Sequence, residues 1–124
     1  MTQPTAVVFY EKLLPGTQLV NRLRDMNYRV EAVTDIATLV ACVRQEKPML
    51  VLADLASPGS TVCDAITQLT DDPQTQHIPV IAFAPDDAGD LQERARIAGA
   101  ELVVSEGAIL THLSQFLDQA LQVE

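Results

Sequence analysis

Five short apolar segments recur along this chain, each followed by a stretch whose apolar residues fall at helical spacing. The segments are AVVFY (6–10), YRVEAV (28–33), MLVLAD (49–54), IPVIAFA (78–84) and ELVVS (101–105). MLVLAD constrains the fold most. A strand that is apolar at nearly every position needs cover on both faces, as in a parallel sheet between helix layers. The intervening stretches supply that cover. Residues 16–27 place Leu19, Val20, Leu23 and Met26 on one face, and residues 35–46 open on the N-cap residue Asp35 and align Ile36, Leu39, Val40 and Val43. Residues 60–72 turn Val62, Ile66 and Leu69 inward, and residues 90–99 turn Leu91, Ala95 and Ala98 inward before stopping at Gly99. Residues 108–122 carry Ile109, Leu113, Phe116 and Ala120. Five rounds of strand then helix predict one doubly wound α/β sheet with five parallel strands, five helices and right-handed crossovers. Open sheets of this kind build their sites at the carboxyl ends of the strands. Here those ends are Tyr10, Glu11, Asp54, Ala84, Ser105 and Glu106.

Bulk properties narrow the classes. A chain of 124 residues with 48% hydrophobic residues suits a single domain spanning 1–124 with a real core. There is no internal repeat or linker, and no apolar run approaches the length of a membrane span. The start, MTQPTAVVFYEK, lacks the basic and small-residue pattern of a secretion signal, so a cytoplasmic location is expected. A net charge of −9 argues against nucleic acid and anionic membranes as partners. Cys42 and Cys63 read as buried thiols, and His77 and His112 as surface or cap residues, because no metal-ligand spacing joins them.

Four passages, in order and spacing, resemble the receiver domain of two-component response regulators. They are NYRVEAVTDIATL, KPMLVLADLASPG, DPQTQHIPVIAFA and ARIAGAELVVSE, which together run through most of the chain. The resemblance implies the flavodoxin-like strand order 2-1-3-4-5. It also implies a chemistry, phosphoryl transfer from a partner kinase onto the aspartate ending strand three. That chemistry uses Mg²⁺ held by acids after strand one, a hydroxyl ending strand four and a lysine ending strand five. An aromatic residue on strand five relays the change.

Asp54 stands at the acceptor position, with Pro58-Gly59 in the loop after it. The first acid position is Tyr10 and the second is Glu11. The hydroxyl position is Ala84, the switch aromatic is Val103, and the lysine is Glu106, followed by Gly107 in place of a proline. The lysine loss does not depend on register, because the chain's two lysines are Lys12 and Lys47. Were Mg²⁺ to bind, Glu11 and Asp54 would be its ligands; otherwise no cofactor is expected.

The reading is a non-enzymatic, stand-alone pseudo-receiver that signals by contact with another protein, such as a histidine kinase or a regulator. Asp54 would then accept hydrogen bonds from backbone or from the Tyr10 hydroxyl. The alternative is a working single-domain response regulator, phosphorylated on Asp54 in a phosphorelay. A flavin or other small-ligand site on the same fold would need a glycine- and hydroxyl-rich loop after strand one. There YEKLLPGTQ offers only Gly16 and Thr17. Asp86 and Asp87, in the acidic loop APDDAGD, could lend carboxylates to the site, but read as a solvated turn and helix cap. Since the sequence stops after its last helix, output through protein contact is expected.

Overall fold

A computed structural model describes residues 4–10, 13–56 and 62–121. The strands are β1 (Thr5–Phe9), β2 (Arg29–Val33), β3 (Leu50–Asp54), β4 (Val80–Ala84) and β5 (Leu102–Ser105). The helices are α1 (Leu13–Asp25), α2 (Ile36–Glu46), α3 (Val62–Asp71), α4 (Gly89–Ala98), α5 (Glu106–Thr111) and α6 (Leu113–Leu121). The sheet order is β2-β1-β3-β4-β5 and every pair is parallel, as the resemblance implied.

The pleat divides the core in two. Val7, Phe9, Val51, Ala53, Val80 and Ala82 face α2, α3 and α4, where they meet Leu39, Val43, Ile66 and Leu69. Ala6, Val8, Leu50, Leu52, Ile81 and Phe83 face the other way, against Leu19 and Leu23 of α1, Ile109 of α5 and Leu113 of α6. β3 and β4 are buried at every residue, which explains their unbroken apolar runs. Each large side chain so buried contributes roughly 1.5–3 kcal/mol.

Local signals set the helix ends. Asp35 caps α2 by accepting from the Ala37 N–H at 3.0 Å. Gly99 ends α4 at φ 114°, in the left-handed region that favours glycine. Two helices depart most from the sequence expectation. α1 begins at Leu13 rather than residue 16, because Pro15 falls in its first turn, where no helical N–H is needed. The expected helix 108–122 is two helices, giving six among the described residues in place of five. At His112 the backbone opens to φ −116°, although the His112 N–H still donates to Ala108 and the Phe116 N–H to His112. Beyond that break Leu117 takes the core position, and Phe116 is half-buried with its ring edge-on to His112. Cys63 is buried as expected, whereas Cys42 is only partly so. Among the described residues no helix is long and apolar enough to cross a membrane.

Candidate functional site

The parallel register brings four strand ends to one edge of the sheet. Asp54, the last residue of β3, lies opposite Phe83 of β4, and the Leu55 N–H donates to the Phe83 carbonyl at 2.8 Å. On the other side, β1 and β3 pair through Phe9 and Ala53, so Tyr10 and Asp54 are the next residues of neighbouring strands. β4 and β5 end together at Ala84 and Ser105.

Asp54 is fully buried. Its Oδ1 accepts the Ala56 N–H at 2.9 Å, a short-range bond that fixes the turn leaving β3. The backbone hydrogen bond expected for this carboxylate is therefore present. The Tyr10 hydroxyl bond is not, because the Tyr10 ring leans the other way, onto Gly16 of α1. A Cβ placed on Gly16 would stand 2.7 Å from the Tyr10 Cβ and closer still to Cγ and Cδ2. Tyr10 is thereby packed with the α1, α5 and α6 cluster. The sequence reading placed Gly16 at the start of the helix 16–27, and the structure places it one turn inside α1. With Gly16 and Thr17 inside α1, the glycine-rich phosphate loop of a flavin site is absent there.

The remaining positions carry little that would hold an anion. Ala84 is buried and offers no polar side-chain atom. Val103 of β5 pairs with Ala82 of β4 and packs partly buried against the α2–α4 cluster. Ser105 caps α5, its Oγ accepting the Ala108 N–H at 3.1 Å. Glu106 is consequently the first residue of α5, half-buried beside the strand ends. Glu11, the other acid expected at the site, and Pro58-Gly59 lie outside the described residues.

Mg²⁺ takes several oxygen ligands in near-octahedral geometry. Among the described residues no group of three or more His, Cys, Asp or Glu side chains could hold a metal ion. Tyr10 is turned away, Ala84 is apolar, and Asp54 already spends one oxygen on Ala56. The described residues do not fit a divalent cation. Asp86 and Asp87 are exposed in the turn before α4, and the N-cap of α4 is Ala88 without a side-chain bond, so neither aspartate caps the helix. Burial pushes both thiols, Cys42 and Cys63, above the ordinary cysteine range, which keeps them protonated and poor nucleophiles.

No protein-family model matches the chain. It is 35% identical over 80 residues to the response regulator PleD of Caulobacter vibrioides, a match covering 64% of this chain and 16% of PleD. It is 48% identical over 48 residues to the protein PilH of Pseudomonas aeruginosa, covering 39% of this chain and 40% of PilH. The chain thus spans less than half the length of these relatives. Its fold matches the receiver domain of the sensor histidine kinase PA1611 from Pseudomonas aeruginosa. That domain carries a magnesium ion coordinated in its active-site cleft. The TM-score is 0.87 at 17% identity, over 98% of this chain and 100% of that one. Strand order and these likenesses give the chain the receiver-domain fold, with sequence similarity to the response regulator PleD over part of its length.

Proposed function

We propose that residues 1–124 form one receiver-like signalling domain that binds a partner protein in the cytoplasm and carries no aspartyl-phosphate switch. The partner class is a histidine kinase or another regulator, and the domain catalyses nothing itself. The observation that carries this reading is the pair of residues at the ends of β4 and β5. Ala84 gives no donor and Glu106 gives a negative charge, where a phosphoryl group on Asp54 would need a hydroxyl and a cation. Binding a dianion beside a half-buried carboxylate is opposed by charge repulsion. The surplus of acidic residues supports a protein partner over nucleic acid.

One observation favours a second reading. Asp54 is retained, at the end of a central strand, in a chain similar to a named response regulator. That reading is phosphorylation on Asp54 by a kinase, with Glu11 and Asp54 as the acids for Mg²⁺. An amide NMR titration with Mg²⁺ and then beryllofluoride, a phosphoryl mimic, separates the two. The first reading expects no concerted shift. Joint movement of the amides of Leu55, Ala56, Ala84 and Glu106 at millimolar Mg²⁺ would overturn it and establish the second.

A further inference from the structure

Tyr10 is held at two points. Its backbone N–H donates to the Val33 carbonyl at 3.0 Å, which ties the end of β1 to β2. Its ring lies on the bare Cα of Gly16, in the space a side chain there would fill. Gly16 sits within α1, and Gly99 is the only described glycine at positive φ, so Gly16 is not serving backbone conformation. Glycine is also a poor helix residue by propensity. Its fit to the Tyr10 ring is what the position gains.

We propose that the Tyr10 ring and the Gly16 notch form a latch. It fixes the end of β1, and with it the mouth of the Asp54 site, in one conformation with neither a metal ion nor a phosphoryl group bound. The next residues along the paired strands are Tyr10 and Asp54. A shift of the β1 end would therefore pass directly to the carboxylate and its turn. This rests on the reading above: a domain that no phosphoryl group switches needs a shape set by packing alone. The two stand or fall on different measurements. The beryllofluoride titration tests the chemistry, and the latch can hold or fail whatever that titration returns.

The test is a thermodynamic cycle of Gly16→Ala and Tyr10→Ala, with Tyr10→Phe as the control that keeps the ring. The latch predicts that Gly16→Ala lowers the melting temperature steeply with Tyr10 present. It predicts a much smaller loss in the Tyr10→Ala background, where the ring clash is gone and only the 2.7 Å contact with the Tyr10 Cβ remains. Failure of Gly16→Ala to fold, relieved by Tyr10→Ala, is the same result in stronger form. Hydrogen exchange gives the functional readout. Protection of the Leu55 and Ala56 amides should drop roughly tenfold or more in Tyr10→Ala and be kept in Tyr10→Phe. Equal melting losses from Gly16→Ala in both backgrounds, or unchanged protection in Tyr10→Ala, overturn the latch.

Discussion

If the chain lacks a phosphoryl pocket because of a few strand-end residues, restoring them should restore binding, and the charge at position 106 should dominate. The perturbation is the triple variant Tyr10→Asp, Ala84→Thr, Glu106→Lys, compared with the three variants that each omit one change. Two unit charges about 4 Å apart interact by roughly 4 kcal/mol at an effective dielectric of 20. Glu106 is half-buried, so solvent screening reduces this to about 1–2 kcal/mol per charge. Replacing repulsion by attraction counts twice, about 2–4 kcal/mol, or roughly 30- to 1000-fold in affinity. The hydroxyl supplied by Ala84→Thr adds one hydrogen bond to a charged acceptor, about 1.5–3 kcal/mol. Ala84 is fully buried, so its two extra heavy atoms also cost fold stability, of order 1–3 kcal/mol, in both free and bound states.

Isothermal calorimetry with beryllofluoride and Mg²⁺ reads these terms, and ionic strength tells them apart. Omitting Glu106→Lys should weaken binding roughly 30-fold or more at low salt, with the penalty shrinking as salt rises. Omitting Ala84→Thr should weaken it by about tenfold or more, whatever the salt. Wild type should show no binding. The reasoning is refuted if omitting Glu106→Lys leaves affinity within about threefold of the triple variant, or if its effect ignores salt.

Two further outcomes follow from the frame around the site. Gly99→Ala should lower the unfolding free energy in urea by about 2 kcal/mol, since φ is 114° and the new Cβ would stand 2.7 Å from Thr70 Cγ2. Wild-type stability there would show that α4 relaxes easily against α3. Asp72 is held below its ordinary value of 3.8, first by the Gln74 N–H and then by the Arg44 guanidinium at 2.6 Å. A carboxyl with a depressed folded pKa stabilises fully above its unfolded value, and that contribution is lost as pH falls through the folded one. The stability gap between wild type and Asp72→Asn should therefore be constant at neutral pH and close below about pH 3.8 in urea melts. A gap that persists unchanged in acid would assign the effect to packing.

The strands were legible because their burial is written in composition. MLVLAD could be nothing but a central strand, and Asp35 and Gly99 marked helix ends by chemistry that acts within a few residues. The sheet order was not readable from pattern and came from resemblance. Long-range packing hid the rest. The break at His112 leaves no proline or glycine in the sequence, so residues 108–122 looked like one helix. The strand-end positions of Tyr10, Asp54, Ala84 and Glu106 could be located from strand lengths alone. The direction of the Tyr10 ring could not, because it is decided by the space above a glycine in the next helix.

The residues that stand at these strand ends are ones this fold accommodates well. A cluster of acids at strand ends repels itself and needs a cation to hold it together. A tyrosine in place of one acid exchanges that repulsion for ring burial against α1. Ala84 closes the end of β4 without a polar atom to satisfy. Val103 suits an edge strand packed on helices, where β-branched residues fit the pleat. Glu106 opens α5, where the positive end of the helix dipole favours a carboxylate and would disfavour lysine. None of the four lies in the interior of β1, β3 or β4, whose packing sets the register. Sheet order is thus indifferent to whether the strand ends can hold a phosphoryl group. A chain with this core can keep the receiver shape for recognition while its strand ends are given over to packing and capping.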